Sequence, residues 1–423
     1  MDRRRFFSTA VGGMLLSGAT AGAGAAGAVH RPRLVLRSSW QTVNIGDIAH
    51  SPGVMRLLSD FIPEAEVTLW PVNVGDGVRE MLERNFPQIR IVGGRLRDDG
   101  HADNEELEKV LSETDFFLHG SGPSLVAARD LGLWRKRTDK PYGIYGITIS
   151  GVTDSTRELM DNAQFVYFRD TISLKLAQDA GVQCPIMEFG PDGAFAVNLR
   201  NDPPAEAFLA EHGLEPGRFL VAIPLLRYTP YYKMRGTEPT EEDLRRKAIS
   251  DRMKDTDHAK VREAIVAFVR ETQMKVLAAP EVRYQIEVAK EQFVDKMPED
   301  VRPYVVWRDK FWLTDEAVSV YARAFAMISM DMHSPIMAVA NGTPAVHCRF
   351  KEQTSKSFMW RDIGLGDWLF DLDEQRDGAS ITEALLGIAR DPEAARAKVA
   401  RAMDFVHERQ KASMEVLRTC LGL

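Results

Sequence analysis

Asp331 and His333 stand two residues apart in a segment, residues 325 to 346, that reads FAMISMDMHSPIMAVANGTPAV. An imidazole titrates near neutrality and can serve as acid, base or donor to a phosphate, and a carboxylate beside it can exchange protons with a hydroxyl. The segment reads as an apolar strand (Phe325 to Met330), a polar turn (Asp331 to His333) and a short helix capped by Ser334 and Pro335. Gly342 and a second buried strand follow. Asp331 and His333 are therefore expected at the carboxyl end of a strand, against the amino end of a helix. In open α/β sheets that crevice binds ligands, and helix amides there favour anionic ones.

Other reactive residues fall at similar places. Asn44 and Asp47 lie in a polar stretch after the first strand, with Gly46 between them, and are expected to point into the same kind of crevice. Gly120 and Ser121 belong to a glycine-rich turn, HGSGPS, which can cradle a phosphate or carboxylate or can simply be a tight turn. Arg169 and Asp170 end another strand and read equally as a salt bridge ordering the next helix. Asp192 sits in a Pro/Gly turn, as a turn former or as a residue facing a cleft. Arg227 and Tyr228, in LLRYTPYYKMRG, can stack on a sugar and bond its hydroxyls, or form a solvated loop. Lys351 and Lys356 follow the last buried strand and can supply positive charge.

These positions require a scaffold of strands alternating with helices. Candidate strands at 33–37, 66–70, 89–92, 116–118, 142–149 and 165–168 alternate with helical patterns at 54–61, 78–86, 104–112, 155–162 and 171–180. Such alternation implies a parallel, doubly wound α/β sheet. Residues 201 to 217, rich in proline and charge, read as a linker between a domain at 29–200 and a second at 218–423. The second begins with FLVAIP at Phe219 and carries a charged helix over 240–257, an amphipathic one over 261–272 and a helix over 281–296. A helix capped by Thr314 and a helical tail over 381–390 and 392–421 complete it.

The chain has 423 residues, 44% hydrophobic and 27% charged, enough to bury substantial cores. A formal charge of −7 argues against nucleic acid as the partner. Cys184, Cys348 and Cys420 are odd in number and far apart, so free buried thiols are expected and no disulfide or metal ligand set. Residues 1 to 28 open with DRRRFF and run into an Ala/Gly-rich stretch. That pattern reads as a twin-arginine signal, which implies the Tat export machinery as a partner and a periplasmic or extracellular location.

Taken in order, Asn44-Ile45-Gly46-Asp47, the turn near Gly120, Arg169-Asp170-Thr171-Ile172-Ser173, Pro191-Asp192 and a late His333-Ser334 before Gly342-Thr343-Pro344 resemble the polysaccharide pyruvyl transferase family. The resemblance implies a GT-B-like architecture, two Rossmann-like domains facing across a cleft. It also implies transfer of a pyruvyl group, as a ketal, from phosphoenolpyruvate to a sugar diol of a polysaccharide or oligosaccharide. Phosphoenolpyruvate would be a donor substrate, and no cofactor is implied. By position His333 matches the histidine of the family's S-x-R-x-H motif, and Asp47 and Asp192 are carried over as bases or hydroxyl anchors.

The sequence departs from that motif at the arginine, which is Asp331 here. Its charge would oppose a phosphate by about 1 to 4 kcal/mol in a partly screened site. Another cation, Arg169, Arg227 or Lys356, would have to replace the arginine. Two other readings stay open: a glycan hydrolase in which Asp331 and His333 work with Asp47 or Asp192, since carboxylates roughly 5 to 10 Å apart suit glycosidic cleavage, and a noncatalytic carbohydrate binder.

Overall fold

The computed structural model describes residues 31–38 and 42–423. The twin-arginine stretch lies outside the described residues. Pro32–Leu423 form a compact unit, and no helix among the described residues is long and apolar enough to cross a membrane.

Two parallel sheets organise it. The first has strands β1 (Arg33–Arg37), β2 (Glu66–Trp70), β3 (Arg90–Ile91), β4 (Phe116–His119), β5 (Tyr142–Ile147), β6 (Val166–Phe168) and β7 (Met187–Phe189), in the order 3-2-1-4-5-6-7. The second has β8 (Phe219–Ile223), β9 (Lys275–Ala278), β10 (Val305–Trp307), β11 (Ala326–Ser329), β12 (Ala345–Arg349) and β13 (Leu369–Asp371), in the order 10-9-8-11-12-13. Every pairing is parallel, as the strand and helix alternation requires. Strand order reverses direction between β1 and β4 and again between β8 and β11. These are the switch points where loops splay apart and leave a crevice.

Several element boundaries differ from the sequence reading, each for a local reason. The first helix starts at Ile45, nine residues ahead of the expected Val54, and contains Pro52 and Gly53. The polar residues and Gly46 directly after a strand are what make that stretch read as a turn. Gly53 is needed for packing: a Cβ there would lie 2.0 Å from the Gly193 carbonyl oxygen. Gly53→Ala would gain about 1 kcal/mol of helix propensity. The obstacle is backbone, however, so overpacking by about 1 to 3 kcal/mol is expected to win, with a lower urea midpoint and unchanged m-value as the check.

The expected linker contains the helix Asp202–Glu211, which packs against the helix Thr314–Tyr321. The charged and amphipathic segments after 240 are one helix, Glu241–Thr272, begun by a capping box from Thr240 and Asp243. Thr314 is the first residue of its helix rather than the cap, and its hydroxyl donates to the Ile45 carbonyl in the other half. The 281–296 helix is shorter than expected, Gln285–Lys290 followed by a π-helical turn Glu291–Asp295, which leaves Glu281 in the loop after β9. Cys348 is buried, whereas Cys184 and Cys420 are only partly so.

The halves share a core. Leu34, Ile45 and Phe195 belong to the same apolar cluster as Val221, Ile328 and Leu417. The tail helix Pro392–Cys420 returns from the second sheet to the first half, where Arg418 donates to Phe61 O and Arg409 to Phe189 O.

Buried histidines make this fold acid-sensitive. Burial pushes His119 down to about 4, with Nε2 accepting from the Ala127 amide, and pushes His258 down to about 3. In each the folded value lies below the unfolded value near 6.5, so the stability is present above that pH and is lost as pH falls below it. Between about pH 6.5 and 4.5, His119 alone should cost roughly 2 to 3 kcal/mol. His119→Gln is expected to flatten the pH dependence of the urea midpoint over that range.

Candidate functional site

The carboxyl ends of the two sheets meet at the start of the Ile45–Phe61 helix. Asn44 caps that helix, its Oδ1 accepting from the Gly46 and Asp47 amides at 2.8 and 3.2 Å. The cap is fixed to the second half by Ile45 N donating to Glu281 O at 3.0 Å and Arg283 N to Val43 O at 2.9 Å. Gly46 then lets the helix abut the β11 turn, because a Cβ there would come within 2.4 Å of His333 Nδ1. One turn along, Asp47 and His50 face that turn.

His50 and His333 meet edge to face, ring centroids 4.7 Å apart, at 1% and 3% exposure. Each ring is held on its Nδ1 side by a fully buried carboxylate. His50 Nδ1 bonds Asp192 Oδ1 at 2.9 Å, and His333 Nδ1 bonds Glu281 Oε1 at 3.2 Å. On the other side, Nε2 of both rings is buried and has no hydrogen-bond partner among the described residues. Burial, with the Lys356 charge adding to it, holds His333 well below the usual imidazole range, so it is neutral.

Around this pair the carboxylates differ in availability. Asp192 Oδ2 receives Arg169 NH1 at 2.6 Å and its Oδ1 receives the Ala194 amide as well as His50. Burial alone would raise its pKa, but His50 and Arg169 outweigh that and hold it well below the carboxylate range. Asp331 accepts from Gln285 Nε2 and from the Met332 amide, both at 2.8 Å. Burial, then the Glu281 charge, pushes it up to about 6. Glu281, whose Oε2 accepts the Ser334 amide at 2.6 Å, is also raised by burial. Asp47 is partly exposed, and its carboxylate makes no hydrogen bond among the described residues; burial raises it, against His50 and Lys356. Lys356 is half-buried and acts electrostatically on Asp47, Glu281, Asp331 and His333.

Of the residues singled out in the sequence, Asp47, Arg169, Asp192, Asp331, His333, Ser334 and Lys356 thus converge. Two expectations about them change. Ser334 does not cap its helix, which begins at His333; its amide meets Glu281 and its hydroxyl Tyr321 at 3.1 Å. His333 pairs with Glu281 rather than with Asp331.

The others are placed differently. Asn44 spends its side chain on the cap. Gly120 packs against Ser38, and Ser121 is buried with Oγ accepting from Gly193 N at 3.4 Å, so protein atoms fill that turn. Arg227 donates to Asp257, Glu352 and Asp373, which neutralise it. Tyr228 lies beneath the Arg246 guanidinium, 5.4 Å from its ring. Arg169 is taken by Asp192, and Asp170 caps the next helix through Ser173 N at 2.8 Å. Lys356 is therefore the one of the three proposed replacement cations that is not consumed by an ion pair among the described residues.

His50, Glu281 and Gln285 were not named from sequence. The signal for His50 was its position one helical turn after Asp47, and for Glu281 its place directly after an apolar strand. No metal ligand set was expected, yet folding brings Asp47, His50 and His333 together with ligand atoms within 4.8 Å of one another. A separate surface cleft of about 800 Å³, lined by Arg129, Lys136, Lys140 and Glu158 among others, shares no residue with this cluster.

Comparison with known proteins bears on the family and the fold. The family model described as polysaccharide pyruvyl transferase matches residues 44–351. No curated protein matches the sequence. Among solved structures, MnaA of S. aureus with UDP superposes at TM-score 0.53 and 9% identity, over 88% of this chain and 91% of that one. A glycosyltransferase from Rickettsia africae gives 0.52 and 10%, over 92% and 99%. The UDP-GlcNAc 2-epimerase of Neisseria meningitidis gives 0.51 and 9%, over 92% and 100%. At such identities the likeness is one of fold: the two-domain, Rossmann-like GT-B architecture.

Proposed function

The chain belongs to the polysaccharide pyruvyl transferase family, and on that premise we propose that it transfers the pyruvyl group of phosphoenolpyruvate to a sugar diol of a cell-surface or extracellular polysaccharide. As a member of that family on a GT-B scaffold it is a glycan-modifying transferase. In the reaction, C3 of the donor gains a proton, two sugar oxygens bond to C2, and the C2–O bond to phosphate breaks. Of the two hydroxyl protons released, one balances the methylene proton and the other leaves with phosphate.

The observation that carries the reading is the pair of oriented imidazoles at the meeting of the two sheets, each with a buried, unpartnered Nε2. Each Nε2 is thereby left without a protein partner among the described residues. Asp47 and Asp331 are the neighbouring carboxyl groups able to exchange protons with substrate, and Lys356 supplies positive charge toward the donor's phosphate and carboxylate. The alternative of a hydrolase using Asp192 gains no support, because that carboxylate is sealed by Arg169 and His50. DRRRFF supports the further reading that the chain acts outside the cytoplasm after twin-arginine export.

The test is incubation of the purified protein with phosphoenolpyruvate and a panel of extracellular polysaccharides, following inorganic phosphate. Acceptor-dependent phosphate release is expected. New reducing ends without phosphate would instead mark a hydrolase, and saturable glycan binding with neither product a binder.

A further inference from the structure

We infer that His50 Nε2, His333 Nε2 and the Asp47 carboxylate form a binding site for one divalent first-row transition metal ion. The two histidines are almost wholly buried, and both Nε2 atoms lack a partner. A buried polar atom without one is costly and calls for an explanation. Their Nδ1 atoms explain the form of the rings. Each sits against a buried carboxylate, Asp192 or Glu281, which fixes Nδ1 as the protonated nitrogen and leaves Nε2 with its lone pair. That carboxylate–histidine arrangement is the one by which proteins orient imidazole ligands around a metal.

Asp47 completes the set. Its carboxylate makes no hydrogen bond among the described residues, and one ligand atom from each of the three residues lies within 4.8 Å of the others. Donor atoms around an ion at about 2.0 to 2.2 Å stand somewhat closer than that, so modest side-chain rotation would close the site. A second possible group, Glu281, Asp331 and His333, is less available. The Asp331 oxygens already accept from Gln285 and Met332, and His333 Nδ1 already meets Glu281.

Two imidazoles and one carboxylate suit zinc, cobalt, iron or manganese better than calcium or magnesium, which prefer all-oxygen shells. Three protein ligands also leave coordination positions open for an anionic substrate group. The ion would restore the positive charge that Asp331 removes. The inference does not depend on which group is transferred, because binding is measured without donor or acceptor.

The full chain is to be stripped with chelator and titrated with Co²⁺, reading visible d–d absorption, and with Zn²⁺, reading bound metal after dialysis. One ion per chain is expected, weakened at least tenfold in His50→Ala and His333→Ala and about tenfold or more in Asp192→Asn, which only orients His50. Asp47→Asn covers the case in which a histidine variant does not fold, since Asp47 is partly exposed. It should keep the metal-free melting temperature and circular dichroism of the parent while binding at least tenfold more weakly. Absence of stoichiometric binding by the parent, or binding as tight in Asp47→Asn as in the parent, overturns the site.

Discussion

His333→Ala is expected to lower kcat for glycan-dependent phosphate release by about 10²-fold or more, as for loss of a group whose Nε2 acts on the substrate or holds an ion beside it. The expectation rests on geometry rather than on the residue type. His333 Nε2 is one of two buried nitrogens in the cleft with an unused lone pair, and Glu281 fixes the ring that carries it. Two of its neighbours are already engaged. Ser334 is turned to Tyr321, and Asp331 is held by Gln285 and Met332. Glu281→Gln should show the positioning effect separately. It keeps the volume and one acceptor but weakens the hold on Nδ1, so kcat should fall less than in His333→Ala while KM changes little. Steady-state phosphate assays on both variants, with melting curves to confirm folding, provide the check.

The largest effect on stability is expected at Asp192. Its carboxylate is the meeting point of Arg169, His50 and the Ala194 amide, with both partner side chains almost wholly buried. Asp192→Ala would strand the Arg169 guanidinium in the interior with Thr148 Oγ1, at 2.8 Å, as its remaining partner among the described residues. Breaking a buried pair by removing one member costs about 3 to 5 kcal/mol. Because the folded carboxyl is held below its unfolded value near 3.8, this stabilisation is present above that pH and fades only as acid protonates the folded group. Asp192→Asn keeps the shape and an acceptor and should lose less. The order parent, Asn variant, Ala variant in urea midpoint at pH 7 checks the argument. Equal midpoints in parent and Ala variant would show that the pair contributes nothing.

Much of the architecture was legible because buried parallel strands are short apolar runs set between amphipathic helices. Both sheets could be drawn from that alternation. What misled were residues whose local meaning is overridden by packing. The polar stretch around Gly46 reads as a turn, yet the helix begins at Ile45, and Gly53 lies inside it so that the Gly193 backbone can touch it. Asn44 looks like a ligand residue and is a helix cap.

The site divides along the same line. Asp331 and His333 were legible because a polar turn between a buried strand and a helix is recognisable from neighbours alone. The partners that orient the histidines were not. His50 and Asp192 are 142 residues apart and His333 and Glu281 are 52 apart, so only folding shows them as pairs. Arg227 illustrates the opposite error: a basic residue beside tyrosines suggests a sugar, but three carboxylates brought from elsewhere in the second domain consume its charge.

The central claim is that pyruvyl transfer takes place at the His50–His333 cluster, and isotope transfer tests it most directly. Phosphoenolpyruvate labelled with carbon-13 at C3 should give the glycan a labelled ketal methyl group, seen by NMR, with the parent protein, and a signal reduced at least a hundredfold with His333→Ala. Label incorporated equally by both proteins, or by neither while the parent cleaves the glycan, would contradict it.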